Sequence, residues 1–380
     1  MAKSSGSRKN RRPRLRDLGL AVGILPVGRH NAITDVPGVK VGQVTIRRGA
    51  GNKAVRCGVT AIVPAPGNLF RRTIAGGVHI TNGFGKSTGL MQVAETGRIE
   101  TPLLLTGTLN VWRVADALVD WVIEKNPRAY SISPVVLECS PHYFDDVRGR
   151  HVGRREVFRA LKIARRGPVE EGNVGGGTGM VAFGHKAGIG TSSRKLPGSA
   201  GGWTVGVMVQ ANAGAVQYLR VGGHPFGRWL VAKGHAQPSW TALTAAEARR
   251  GAGEFPNAGS LICVVGTDAP LSARQLRRVA ARAMVGAGRA GLSSTHPSGD
   301  LAVAFSNAQR FEREERAAVI CRNQVPDGRR SSEIFSAAME AAEEAYLNAV
   351  LRAEAMEAHG NRREALPVKL LREFLEGRKS

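Results

Sequence analysis

The residues best placed to do chemistry in this 380-residue sequence are Gly259 and Ser260, which open onto the run Leu261-Ile-Cys-Val-Val265. Glycine leaves the carbonyl ahead of the serine unshielded and accepts the strained backbone that attack on it requires. The apolar, β-branched run predicts a buried strand that would hold Ser260 on a rigid element. A serine hydroxyl is a poor nucleophile at neutral pH and needs a base within hydrogen-bonding range. If the chain cuts itself before Ser260, the liberated α-amine, with an ordinary pKa near ~8, lies beside the hydroxyl and supplies that base. A Gly-Ser pair ahead of a hydrophobic strand also suits a plain turn, so the junction alone leaves both readings open.

Competing chemistries find less support. None of the nine histidines sits in a Gly-x-Ser-x-Gly elbow. His142, His185, His224 and His296 read as loop or internally satisfied polar residues. Gly85-Lys-Ser-Thr88 looks like the end of a phosphate loop, but Ile80 stands where that motif needs its first glycine. The glycine-rich segment 172–179 does not fit the dinucleotide fingerprint. No HExxH or other metal-ligand spacing occurs, so neither a metal nor a cofactor is expected. Cys57, Cys139, Cys263 and Cys321 are widely spaced without a CxxC pair, which argues against a disulfide framework and fits a reducing, cytoplasmic setting.

The elements that must position Ser260 alternate between strand and helix patterns, which predicts an α/β or layered α+β class. Helices are expected over Ser87–Glu95, Val111–Glu124, Arg154–Ala164, Ser272–Ala287 (capped by Ser272) and Ser331 to about His359. Strands are expected at Ser133–Leu137, at Trp203–Gln210 (which delivers Asn212), after Ser260, and at Asp300–Phe305. The tract from Leu219 to Gly253 reads as an exposed loop ahead of the junction. The formal charge is +24, and seven Lys or Arg fall in the first 16 residues. Residues 1–17 are therefore expected to form a disordered basic arm entering the first strand rather than an export signal, with one domain over 18–360 and a tail over 361–380. The arm's possible partner is nucleic acid, touched weakly and non-specifically; it has no interleaved aromatics, and a solvated tail is the preferred reading. No run approaches the roughly 18 apolar residues of a membrane span.

Several blocks extend the picture in collinear order. They include Gly28-Arg-His-Asn-Ala-Ile-Thr-Asp-Val-Pro-Gly-Val-Lys-Val-Gly42, Arg56-Cys-Gly-Val-Thr-Ala-Ile-Val-Pro64, Asn82-Gly-Phe-Gly85 and Glu100-Thr-Pro-Leu-Leu-Leu-Thr106. Glu170-Glu-Gly-Asn-Val-Gly-Gly-Gly-Thr-Gly-Met180, Lys186-Ala-Gly-Ile-Gly-Thr-Ser-Ser-Arg194 and Val207-Met-Val-Gln-Ala-Asn-Ala-Gly214 follow. The Ser260 junction, Ser298-Gly-Asp-Leu-Ala-Val-Ala-Phe-Ser306 and Glu343-Glu-Ala-Tyr-Leu-Asn-Ala349 complete the series. Over about residues 18–358 the sequence resembles the L-aminopeptidase D-Ala-esterase/amidase and β-aminopeptidase family of self-processing serine hydrolases.

The resemblance implies a four-layer α/β/β/α sandwich, like N-terminal-nucleophile hydrolases in layering but different in topology. It implies cleavage between Gly259 and Ser260, an acyl-Ser260 intermediate, and removal of N-terminal residues from short peptides, amides or esters. Ser298 and Asp300 would assist proton transfer; two apart at a strand start, both can face one pocket. Asn212 would stabilise the oxyanion. Glu138 would receive the substrate's amino group, and Ser140 stands where the family tends to have Tyr or Asn as a further contact. Asp300 replaces the usual Glu and draws its carboxylate back by about one C–C bond. The family also implies a homo-oligomer, often a tetramer of cleaved pairs. The alternatives are an acyltransferase of similar architecture, disfavoured because such enzymes use threonine, and a catalytically weakened scaffold relative that binds nucleic acid or anionic surfaces.

Overall fold

Residues 11–238, 259–314 and 324–378 are described here from a computed structural model. Fourteen strands lie among them: β1 Lys40–Arg48, β2 Val55–Val63, β3 Arg72–Gly83, β4 Arg98–Ile99, β5 Leu103–Gly107, β6 Val135–Cys139, β7 Val181–Ala182, β8 His185–Lys186, β9 Ile189–Lys195, β10 Thr204–Asn212, β11 Ser260–Thr267, β12 Gly299–Glu312, β13 Met356–Ala358 and β14 Asn361–Arg363. The helices are α1 Leu90–Thr96, α2 Val111–Lys125, α3 Arg154–Ile163, α4 Phe226–Ala232, α5 Ala273–Ala290, α6 Arg329–Leu351 and α7 Val368–Glu376. One sheet runs β1-β2-β5-β6 and the other β4-β3-β12-β11-β10-β9.

Strand periodicity assigns the layers. In β11, Leu261, Cys263 and Val265 join the core beneath α5 and α6, while Ile262 and Val264 join the core between the two sheets. That inner core also holds Ile62, Leu103, Leu105, Val135 and Leu137 of the first sheet. The first sheet's other face packs Val59, Ala61, Leu104 and Val136 against Val114, Leu118, Val157 and Leu161 of α2 and α3. The result is the expected α/β/β/α sandwich. β11 is buried on both faces, which is why it reads as an unbroken apolar run. The alanine face of α6 reaches β9 closely enough that a side chain at Gly190 would overlap the Ala345 carbonyl.

Several expectations change. The basic segment is not a disordered arm from Arg11 onward. Leu15 is fully buried, Arg14 pairs with Glu171 at 2.9 Å, and Arg16 pairs with the buried Glu344 at 2.9 Å. These arginines neutralise buried carboxylates that would otherwise be costly, while residues 1–10 lie outside the description. Nor does this segment enter a strand directly: it crosses α6, where Glu340 accepts from the amides of Ile24 and Leu25 at 3.0 and 3.1 Å.

The long helix α6 ends at Leu351 rather than near His359. His359 and Gly360 both have positive φ (51° and 70°), the two-residue turn that lets β13 fold back on β14. The C-terminal segment docks through α7, with Phe374 packed 5.3 Å from Phe226 and 5.5 Å from Trp229, ring centre to ring centre. The loop expected over 219–253 contains α4; beyond residue 238 it lies outside the description.

Candidate active site

Ser260 is the first residue of β11 and sits between two partners in the sheet. It pairs with Asn212, the last residue of antiparallel β10, and with Gly299, the first residue of parallel β12. Strand register alone therefore gathers residues 212, 260 and 298–300 at one end of the second sheet. The serine is 7% exposed, so an incoming group reaches it at the rim of the sandwich rather than through the core.

The Gly259 carbonyl is already engaged. It accepts a hydrogen bond from the Ser260 hydroxyl at 2.7 Å and from the Gly299 amide at 3.1 Å. An amide donor on this oxygen polarises the carbonyl and would stabilise negative charge developing there. Gly299 has a second task. A side chain on it would stand 2.8 Å from the Gly85 Cα and 3.2 Å from Ser260 Oγ, so its bareness lets the strand ends close over the serine.

Beside Gly299, Ser298 donates its hydroxyl to Asp300 Oδ1 at 2.7 Å, and the same oxygen accepts from the Leu261 amide at 2.8 Å. Asp300 Oδ2 is buried without a hydrogen-bond partner among the described residues. Burial raises the Asp300 carboxyl above its ordinary value, and the Ser298 hydroxyl offsets part of that rise. The shorter side chain thus reaches Ser298 without strain on the hydrogen bond. Its contact with the neighbouring amide also ties it to the strand that begins at Ser260.

On the opposite side, Asn212 is held at both ends of its amide: Oδ1 accepts from Val181 N at 2.9 Å and Nδ2 donates to the Ser140 carbonyl at 3.2 Å. The amide donor on the Gly259 carbonyl is that of Gly299, not the Asn212 side chain. The Ser140 hydroxyl faces His142 Nδ1 at 3.5 Å, so it is the backbone oxygen of Ser140 that meets the site residues.

Glu138 comes from the other sheet. It is the penultimate residue of β6, is 2% exposed, and accepts from the Lys86 amide at 2.7 Å and from the Thr108 hydroxyl. The next residue, Cys139, donates its thiol to the Ser260 carbonyl at 3.4 Å, which fixes β6 against the nucleophile's strand. The two sheets therefore meet here with a carboxylate on one and a serine on the other. Gly85 lies between them: a side chain on it would touch Glu138 Oε1 at 3.3 Å and the Gly299 Cα at 3.5 Å.

Sequence reasoning brought forward Ser260, Asn212, Ser298, Asp300, Glu138 and Gly259, and the fold gathers them around one sheet end. It missed the Gly299 amide, because a backbone donor has no side-chain signature. It also missed Asn82, whose amide donates to the carbonyls of Thr295 (3.1 Å), His296 (3.0 Å) and Ser298, shaping the turn that presents Ser298. The block Asn82-Gly-Phe-Gly85 was the available signal, for two of its residues turn out to line the site.

The model of peptidase family S58 matches residues 31–364. The chain belongs to peptidase family S58. It is 39% identical over 371 residues to the β-peptidyl aminopeptidase BapA of Sphingosinicella microcystinivorans, covering 96% of this chain and 92% of that protein. Among solved structures, a β-aminopeptidase from Burkholderia sp. superposes with a TM-score of 0.86 at 39% identity, covering 96% of this chain and 99% of the other. The L-aminopeptidase D-Ala-esterase/amidase of Ochrobactrum anthropi, described as a prototype for the serine aminopeptidases and a variant of the Ntn hydrolase fold, gives 0.85 at 34% identity, covering 97% of this chain and 99% of the other. This S58 member is accordingly a serine aminopeptidase, and neither the acyltransferase nor the weakened-scaffold reading is favoured. No helix among its described residues is long and apolar enough to cross a membrane.

Proposed function

We propose that this S58 aminopeptidase is made as a precursor that cuts itself between Gly259 and Ser260 and then uses the new N-terminal serine as its nucleophile. The observation that carries this reading is the pair of hydrogen bonds converging on the Gly259 carbonyl from the Ser260 hydroxyl and the Gly299 amide. Ser260 Oγ attacks the Gly259 carbonyl carbon, the C–N bond breaks as nitrogen takes a proton, and an ester joins Gly259 to Ser260 Oγ. Water then hydrolyses the ester to a Gly259 carboxylate and the free Ser260 hydroxyl, which is left beside the α-amine freed in the shift, and that amine can act as its base. In turnover, Glu138 holds the substrate's ammonium and sets the distance to the scissile carbonyl, which limits the enzyme to N-terminal residues. Asn212 Nδ2 stabilises the oxyanion, and Ser298 with Asp300 assists proton transfer. Ser140 contributes through its carbonyl on Asn212 and lines the substrate side of Glu138.

Substrates on this reading are short peptides, amides or esters with a free amine. The β-peptidyl relatives motivate testing β- as well as α-amino acids. Three buried free thiols, Cys57, Cys139 and Cys263, support a cytoplasmic setting, and a homo-oligomer of cleaved pairs is part of the same proposal. Intact-mass analysis tests the first step: the wild type should give two fragments meeting at Gly259/Ser260, and Ser260→Ala should stay whole. Release of p-nitroaniline from α- and β-aminoacyl anilides tests the second. A wild-type chain that remained uncut and inert toward these amides would overturn the proposal.

A further inference from the structure

Lys186 is the largest anomaly in the described interior that catalysis has not explained. It is fully buried, and no carboxylate pairs with it among the described residues. Its Nζ donates instead to the carbonyls of Met180 at 2.7 Å and Ala187 at 2.6 Å, with the Phe144 ring 5.9 Å away. Burial, with the Arg47 charge adding to it, pushes its ammonium well below the ordinary lysine range. An amine kept in so costly a position has to hold something in place.

What it holds is the β7–β8 hairpin. Met180 and Ala187 are the two ends of that hairpin, joined also by the Ala187 amide donating to the Met180 carbonyl at 3.0 Å. Immediately after Met180 comes Val181, whose amide makes the 2.9 Å hydrogen bond to Asn212 Oδ1. The hairpin tip grips the same segment again, with Phe183 N donating to the Gly214 carbonyl at 2.9 Å. From the far side Tyr346 donates its hydroxyl to the Ala213 carbonyl at 2.6 Å, and its ring packs 5.0 Å from that of Phe183. A side-chain amide can rotate or flip unless its oxygen is fixed, and the Val181 amide fixes Oδ1 so that Nδ2 is the end facing the Ser140 carbonyl.

We propose that Lys186 is a positioning residue for the oxyanion donor: by tying Met180 to Ala187 it fixes the Val181 amide, which in turn fixes the Asn212 side chain. The inference rests on the reading of Asn212 given above. Lys186 touches neither the substrate nor Ser260, so its removal acts on kcat through Asn212 and leaves amine binding at Glu138 intact.

The experiment is a double-mutant cycle on the self-cut enzyme, read as kcat and KM for an aminoacyl p-nitroanilide. Asn212→Ala is expected to lower kcat by about 10²–10³. Lys186→Met, which fills the same space without a donor, should lower kcat about 10-fold or more with KM within about twofold of wild type. The combined variant should be no slower than Asn212→Ala alone, because the lysine has nothing left to position. Losses that multiply, or a Lys186→Met enzyme with wild-type kcat beside a crippled Asn212→Ala, would overturn the inference and leave the oxyanion reading standing. Full activity in Asn212→Ala would remove the oxyanion reading and the inference with it. Should Lys186→Met fail to fold, Val181→Pro carries the comparison, since it deletes the single amide on Asn212 Oδ1 and leaves both acceptors of Lys186 in place. Wild-type kcat in Val181→Pro would overturn the inference equally.

Discussion

At the scale of single residues the candidate site is a set of polar groups held in part by backbone partners distant in the chain. Asp300 illustrates the consequence. Its carboxylate accepts from Ser298 and Leu261 through Oδ1, yet burial still holds its pKa above the ordinary value. A carboxyl with a raised folded-state pKa stabilises the fold fully below the unfolded value, near ~3.9, and that contribution disappears as pH rises through the folded value. Ionised Asp300 is thus a net cost to stability, a cost that the proton-transfer role proposed for it with Ser298 would account for. Asp300→Asn cannot ionise. Its melting temperature relative to wild type is expected to rise as pH climbs from the ordinary aspartate range through the raised folded value, while kcat/KM falls by about 10²–10⁴. In the wild type the acid limb of kcat/KM should lie above the ordinary aspartate range, with activity increasing as pH rises through it. Parallel thermal melts and pH–rate profiles check both; a melting difference that shrinks with rising pH would refute the assignment.

At the scale of elements, function comes from strand ends. β10, β11 and β12 bring Asn212, Ser260 and Gly299 side by side, and β6 delivers Glu138 from the opposing sheet. Much of this was legible. The apolar run after Ser260, the strand before Asn212 and the Ser-Gly-Asp start of β12 each carry strong local patterns, because strands buried on both faces leave a dense apolar signature. The register between them was not legible, since pairing partners are far apart in the chain and one strand's pattern does not name its neighbour. The early end of α6 was hidden for a related reason: small residues repeat past Leu351, and only the His359–Gly360 turn marks the hairpin that replaces the helix. Register also makes Gly299 sensitive. In Gly299→Ala the new methyl would press on Gly85 at 2.8 and 2.9 Å and on Ser260 Oγ at 3.2 Å, and Gly85 is backbone with little room to move because Glu138 lies behind it. Overpacking of this kind costs about 1–3 kcal/mol. Self-cleavage should slow and KM for aminoacyl anilides should rise, both readable by intact mass and steady-state kinetics. Unchanged cleavage and KM would mean that the two strand ends are less tightly closed than their geometry implies.

At the scale of the whole molecule, the large positive charge is partly structural. The sequence suggested a basic arm free of the body, since clustered Lys and Arg with few apolar residues read as a solvated tail. What composition could not reveal is that the acids they meet lie at distant positions. Arg194, fully buried, pairs with Glu340 and Glu344 at 2.9 Å each; Arg16 reaches the same Glu344, and Asn31 donates to it at 2.5 Å. Arg14 pairs with the buried Glu171 and donates to the carbonyls of Asn31 at 2.8 Å and Thr191 at 2.6 Å. This network clamps α6 to β9, on the helix that also carries Tyr346 to the Asn212 segment. Starting the chain at residue 18 would leave Glu171 with Arg352 at 3.7 Å as its arginine and Glu344 with Arg194 and Asn31, and would expose the pocket that Leu15 fills. Each carboxylate would keep a partner but lose an arginine, and emptying a leucine site costs about 2–5 kcal/mol. Such a truncated enzyme should therefore melt at least several degrees below the full chain. Because the lost groups brace α6 rather than bind substrate, kcat should fall with KM nearly unchanged. A melting temperature within about one degree of the full chain, measured in the same buffer, would restore the view of these residues as a dispensable tail.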